Sequence, residues 1–279
     1  PITDNIEVFY IIKNKLELKN VFGDRRVFGE RLVNHRKFLM PVELPSKQSA
    51  KVVIKANTTG VLSLNLHLYS PVVFVGSDAK ENTIQGLYFG SLLVMIIYNS
   101  FIYLTTRSRA YLYYVIYTIS YMLIHLHFAG FDYQYIWPNS PILQNYILFI
   151  SFGVMGWGLT NFSRYFLNLK LAYHRLDGWL KIFGFSSLFF AICSPFVPVA
   201  YDWLATILFY ILCFAVLLCV NIFRVRQRSV EGRYFLLAMV VYIFGVVVYM
   251  LSHNGTMASF LVSDYAVELG SSIAFLIFS

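Results

Sequence analysis

After Lys80, every lysine and arginine of this chain falls in alternate connections between apolar stretches, and that pattern decides what the chain can fold into. Seven long apolar stretches run from Ile84 to Ser279. The basic residues occupy the first, third and fifth of their connections: Arg107 and Arg109; Arg164, Lys170, Arg175 and Lys181; and Arg224, Arg226, Arg228 and Arg233. The intervening connections, around Phe131–Ser140, Ser194–Trp203 and Ser252–Ser263, contain none. Short basic loops stay on the cytoplasmic side of a membrane. The alternation therefore predicts a multi-pass membrane protein with its first 80-odd residues outside and its C-terminus inside.

The spans read as Ile84–Leu104, Tyr111–Phe128, Ile142–Leu167, Trp179–Val199, Trp203–Phe223, Arg233–Ser252 and Leu261–Ser279. Each is near the roughly 20 residues that cross a hydrocarbon core. Composition agrees: 58% of residues are hydrophobic and only 13% charged, against roughly 25% charged in soluble domains. Ten of the 22 basic residues belong to the three inner loops, where topology and anionic lipid account for them. No basic stripe interleaved with aromatics points to nucleic acid. The three cysteines, Cys193, Cys213 and Cys219, all lie in or beside apolar segments. Neither a disulfide framework nor a zinc spacing is present, so no metal or cofactor is expected.

Residues 1–76 read as an extracytoplasmic β domain. Val61–Tyr69 alternates Leu62, Leu64, Leu66 and Leu68 against Ser63, Asn65 and His67, and Ile6–Ile12 and Lys51–Ala56 are further strand candidates. Turn residues separate them at Phe22-Gly-Asp24, Pro45-Ser46 and Asn57-Thr-Thr-Gly60. Too few strands are present for a sandwich of roughly 100 residues, so this is read as part of one. Pro1 follows no signal peptide and Ser279 interrupts an apolar run, which predicts a piece of a longer chain. Residues 77–83 read as a polar linker and 84–279 as a seven-helix domain with its last helix cut short.

No nucleotide-binding, metalloprotease or nucleophile-elbow motif occurs, and the expectation is a segment without catalysis of its own. Costly polar residues remain as candidates. Glu268 lies about seven residues into the last span, a depth of roughly 10 Å, with Asp264 one turn outward and Ser272 one turn inward. Two readings stay open: a polar stripe that binds or titrates, or a protonated carboxyl bonded to a neighbouring helix. His125 and His127, near the outer end of the second span, and His253, near that of the sixth, suggest either a pH sensor or interfacial snorkelling. The two histidines of the second span are two residues apart and point to nearly opposite sides of a helix. Asp132, in the first outer loop, joins them as a candidate ligand or switch residue. Ala266, Gly270 and Ala274, and Gly86 with Gly90, form small-residue ladders suited to close helix packing. Arg164 is expected to snorkel to phosphate.

Several motifs together resemble bacterial seven-transmembrane receptors with diverse intracellular signalling modules. They are Gln85-Gly-Leu-Tyr-Phe-Gly90 with Tyr98-Asn-Ser-Phe101, Arg109-Ala-Tyr-Leu-Tyr-Tyr114, Tyr135-Ile-Trp-Pro-Asn-Ser-Pro141, Phe162-Ser-Arg-Tyr-Phe-Leu167 and Asp264-Tyr-Ala-Val-Glu-Leu-Gly-Ser271. The outer segments His35-Arg-Lys-Phe-Leu-Met-Pro-Val42 and Leu68-Tyr-Ser-Pro71 look like the latter part of that family's periplasmic jelly-roll domain. The resemblance implies an all-α seven-helix membrane bundle preceded by a partial all-β, jelly-roll-like sandwich. It also implies a sensor in a bacterial inner membrane with a periplasmic, carbohydrate-like ligand. A cytoplasmic output module in cis, such as a diguanylate cyclase or histidine kinase, would respond, and a homodimer is a further expectation. A proton- or solute-coupled transporter or channel and a passive anchor for a cytoplasmic enzyme are the alternative readings.

Overall fold

The computed structural model describes residues 5–12, 15–23, 26–42, 51–58, 66–253 and 261–279. Three strands come first: β1 (Asn5–Ile12), β2 (Lys15–Phe22) and β3 (Lys51–Asn57). Long helices follow: α1 (Pro71–Thr106), α2 (Arg109–Ala129), the short α3 (Phe131–Tyr135), α4 (Pro141–Phe166) and the short α5 (Leu169–Ala172). The chain continues through α6 (His174–Cys193), α7 (Val199–Arg226), α8 (Val230–His253), the short α9 (Leu261–Asp264) and α10 (Ala266–Phe278). Two compact units emerge. One gathers Pro1–Leu66, Leu123–Gly153 and Phe189–Ile207; the other gathers His67–Met122, Val154–Leu188 and Leu208–Ser279.

In the first unit the sheet order is β2-β1-β3, antiparallel throughout. Ile6 and Val8, two apart on β1, point to one face and are buried with Phe22. Their cross-strand partners Ala56 and Ile54 lie on the same face, and Phe38 and Met40 cover it. On the other face Lys55 pairs with Glu7 at 3.2 Å. Val8 pairs with Asn20 but Phe9 with Leu18, so Lys19 is the extra residue of a bulge. Two of the three strands read from sequence are β1 and β3; β2 is a further strand, in which Leu16 and Leu18 alternate with Lys15, Glu17 and Lys19 until the bulge shifts the register. Of the expected strand Val61–Tyr69, residues 61–65 lie outside the described residues, and Leu66–Tyr69 carry no strand pairing. The expected turns at Pro45-Ser46 and Thr59-Gly60 also lie outside them.

Among the described residues six helices are long and apolar enough to cross a membrane, and α10 is a shorter apolar helix. The expected linker 77–83 is helical. α1 starts with Pro71 at its first turn and runs unbroken for 36 residues, roughly 54 Å. The stretch Ser77–Thr83 contains no Gly or Pro, and its polar side chains bond along the helix. Asn82 Nδ2 donates to Asp78 Oδ2 (2.8 Å) and Thr83 Oγ1 to the Ala79 carbonyl (2.9 Å). The seventh apolar stretch is not one helix: a turn at Tyr265 divides it into α9 and α10.

In the second unit α8 and α10 approach each other backbone to backbone. A methyl group added at Gly245 would stand 2.4 Å from the Ala266 carbonyl oxygen, and one at Gly270 would stand 3.1 Å from that of Val241. Ala266 and Ala274 are buried beside this contact. The other small-residue ladder behaves differently. Gly86 and Gly90 of α1 are exposed, with no atom within 4 Å of either added methyl position. α1 instead buries Tyr88, Leu92 and Asn99, which lie on nearly the opposite side of the helix, since Tyr88 and Leu92 are each two residues on from a glycine. Gly245→Ala should therefore destabilise the helical unit by about 1–3 kcal/mol, the usual cost of overpacking. Gly86→Ala should be neutral or slightly stabilising, and unfolding titrations in mixed detergent compare the two.

Candidate functional site

The first unit contains a buried polar cluster where α2 ends. α2 stops at Ala129 because Gly130 adopts the left-handed conformation (φ 78°), which turns the chain into α3. The turn brings Asp132, fully buried, back against His127 in the last turn of α2. Asp132 Oδ2 lies 2.8 Å from His127 Nδ1, and Asp132 Oδ1 accepts the Tyr133 backbone N–H at 2.7 Å. Gln144 of α4 completes the cluster: Trp137 Nε1 donates to its Oε1 (2.6 Å), which turns its Nε2 toward His127 Nδ1 (3.3 Å). The two contacts at Nδ1 make opposite demands. The shorter one, to a carboxylate, requires a proton on Nδ1, and charge-assisted bonds are the stronger kind. His127 therefore donates to Asp132, and the Gln144 amide only adjoins it.

The Asp132 side chain has a second consequence. By taking the Tyr133 N–H it frees the Ala129 carbonyl, which that N–H would have met had the helix continued. Arg36 fills the place: its Nη1 donates to Ala129 O at 3.2 Å, while its guanidinium lies 4.8 Å from the Phe131 ring centre. Arg36 is buried although charged, and a cation at a helix C-terminus is favoured by the helix dipole. Further bonds bind residues 26–38 to the same turn. Phe28 N–H donates to Pro138 O (3.0 Å), and Tyr133 Oη donates to the Arg26 carbonyl. Phe28 meets Tyr133 edge-to-face at 5.7 Å. Arg31 lies over Phe28 (4.3 Å) and Phe38 (4.5 Å), with Tyr133 at 5.6 Å, and donates to the carbonyls of His35 and Arg36. The outer segment thus grips the α2–α3–α4 connection through side chains and main chain alike.

Deeper in the first unit, Ser194 Oγ donates to Asp202 Oδ2 at 2.9 Å, both residues being buried. In the second unit Arg164 forms a two-pronged pair with Asp177 (2.8 and 2.9 Å) and donates to Asn161 Oδ1 (2.7 Å). The expected snorkelling of Arg164 is thereby corrected: a carboxylate one helix away satisfies it inside the protein. Tyr88 Oη and Ser271 Oγ are 3.1 Å apart, and Tyr114 Oη donates to Phe275 O at 2.9 Å. The rings of Tyr114, Tyr117 and Tyr121 on α2 all meet Phe275 of α10. A cavity of about 30 Å³ beside Ser271 and Phe275 has room for little more than a water.

The other candidate residues are dispersed. Glu268 is the third residue of α10, half-buried, with Oε2 enclosed and unpartnered and Gln85 of α1 as its hydrogen-bonding neighbour. Asp264 ends α9 beyond the turn and is exposed, so no continuous stripe joins it to Glu268. Ser272 Oγ lies 3.5 Å from Ser91 Oγ. His125 is partly buried on another side of α2 from His127. His253 ends α8, and its side chain lies outside the described residues. His127 is not a snorkelling residue: it is 5% exposed and paired. Arg31, Arg36, Gln144 and Trp137 were missed. Only the spacing from His127 to Asp132 across a glycine offered a signal. Among the described residues no group of three or more His, Cys, Asp or Glu could hold a metal.

Residues 81–279 match a family model described as 7TM diverse intracellular signalling, and residues 1–70 match one described as 7TMR-DISM extracellular 2. Comparison with curated proteins and with solved structures found no match. The matches and the apolar helices together make this a membrane protein with an extracellular N-terminal region.

Two outcomes test the polar contacts. Asp132→Ala strands the His127 and Tyr133 donors and should cost about 1–3 kcal/mol for each buried group left unpaired, with Asp132→Asn less harmful; thermal unfolding in detergent measures both. Arg164→Ala leaves Asp177 buried without a partner and should cost about 3–5 kcal/mol. Adding Asp177→Ala should restore part of that loss, a coupling that a double-mutant cycle reads directly.

Proposed function

Because the chain belongs to the family of seven-transmembrane receptors with diverse intracellular signalling modules, we propose that it senses a periplasmic ligand at a bacterial inner membrane and passes the signal inward. The family is of receptor type rather than catalytic. The observation that carries the reading is the grip of residues 26–38 on the end of α2. Arg36 occupies the last carbonyl of that helix, and Phe28 and Tyr133 tie the following turn. A ligand that favours one arrangement of the outer segment over another would thereby act on α2, as differential affinity requires.

α2 is one continuous helix, so a shift or rotation of its outer end reaches the turns that carry Tyr114, Tyr117 and Tyr121. Those rings bear on Phe275, and α10 is in turn locked to α8 through Gly245 and Gly270. The output reached through α10 would be a cytoplasmic signalling module such as a diguanylate cyclase or histidine kinase, and the ligand a small molecule such as a carbohydrate. The polar cluster of His127, Asp132 and Gln144 fixes the geometry of the connection under this reading, and binding belongs to the β domain.

Hydrogen-exchange mass spectrometry of the reconstituted protein tests the relay. Replacing Arg31 and Arg36 together by Ala should speed exchange in residues 128–140 and, beyond them, in α10. Faster exchange confined to residues 128–140 would mean that the outer segment is held in place without being coupled to the helices.

A further inference from the structure

The second unit carries a groove that the sensing reading does not use. α6 and α7 border an open groove of about 900 Å³, with Leu176, Trp179 and Phe183 on one side and Val216 and Phe223 on the other. The small side chain of Ala215 leaves the floor open. Along α6 the groove runs from residue 173 to residue 183, roughly 15 Å. Both helices are long and apolar enough to cross a membrane, so its walls meet acyl chains. Such walls do not choose between lipids, since hydrocarbon tails are as apolar as the side chains they touch. Any selectivity must come from the polar end.

That end is built and positively charged. Tyr173 closes it, packed edge-to-face on Phe223 at 5.1 Å and bonded through its hydroxyl to Gln227, with the Arg224 guanidinium 5.6 Å from its ring centre. His174 and Arg175, the first two residues of α6, line the same end, and both are exposed. The one acid in the first turn of α6, Asp177, is buried and fully engaged by Arg164. Arg175 has no carboxylate partner among the described residues. A cation thus stands at the head of a tail-sized groove, at a membrane boundary, with the acid of the same helical turn already spent on another arginine.

We propose that this groove binds an anionic phospholipid, with one acyl chain between α6 and α7 and the headgroup phosphate at Arg175 and His174. Basic pockets between membrane helices suit such headgroups. The occupant is a lipid of the bilayer rather than a soluble phosphate, because the groove continues from the charged end into apolar walls that only a tail would fill.

Trp179 lines the groove and is 61% exposed, which makes it a reporter. The protein is placed in nanodiscs containing either brominated phosphatidylglycerol or brominated phosphatidylcholine at equal mole fraction. The Trp179 signal is taken as the difference from Trp179→Phe. Phosphatidylglycerol should quench Trp179 at about fivefold lower mole fraction, corresponding to ~1 kcal/mol for one basic residue at the surface. Arg175→Gln with His174→Gln should erase that preference and leave quenching by phosphatidylcholine unchanged. Arg107→Gln, which removes an exposed cation outside the groove, should preserve it. Native mass spectrometry of the unaltered protein provides a readout that needs no variant, and phosphatidylglycerol should be retained in preference to phosphatidylcholine. Equal quenching by both lipids, equal retention, or a preference that survives loss of Arg175 and His174 would overturn the proposal. So would preferential occupation by a neutral lipid or by another protein.

Discussion

Hydrocarbon offers no hydrogen bonds, so polar groups in these helices are driven to find partners within the protein. The structure meets this demand first by local means. Thr118, Ser120, Thr160, Ser163, Asn99, Asn161 and Asn221 each return a side-chain donor to the carbonyl four residues earlier. Such bonds ask nothing of neighbouring helices and leave the helix faces free to pack. Bonds that reach beyond one turn are fewer, and they fix geometry. Arg164 with Asp177 joins α4 to α6, Tyr88 with Ser271 joins α1 to α10, and His127 with Asp132 closes the turn after α2. Each sits where breaking it would leave a charge or a donor in an apolar setting, so each is costly to rearrange.

The turn after α2 has the most dependents. Asp132 accepts from both a side chain and a main-chain N–H, and by doing so leaves a helix-terminal carbonyl for Arg36. A buried arginine in the outer segment and a buried aspartate in α3, 96 residues apart in the chain, thus solve one problem together: how the last carbonyl of α2 finds a donor. The glycine between His127 and Asp132 permits the reversal, since φ of 78° is readily adopted only without a Cβ.

Much of the architecture was legible from periodicity and charge. The apolar runs located the long helices because length and composition alone decide what can span a membrane, and β1 and β3 showed in their β-branched residues. The break at Tyr265 was not legible: nothing in Asp264-Tyr265-Ala266 is a strong helix breaker, and the turn depends on tertiary surroundings. Helical continuity through 77–83 was not legible, because a polar stretch such as Asp78, Lys80 and Glu81 suits a connection and an exposed helix equally well. The site was the least legible part. His127 and Asp132 were marked singly, but their pairing depends on how Gly130 folds the chain, and Arg36 gave no local sign of being buried. Gly86 and Gly90 carried a packing motif, yet a motif does not say which helix face meets a neighbour.

The unbroken helix from Pro71 to Thr106 puts an element of fixed pitch where the polar stretch 77–83 suggested a joint. A helix advances about 100° per residue, the angle set by 3.6 residues per turn. Within α1, one residue inserted in 77–83 would turn the helix's own first turns by more than a quarter turn against the face that carries Tyr88, Leu92 and Asn99. Seven would bring them back to nearly the original azimuth, lifted by about 10 Å.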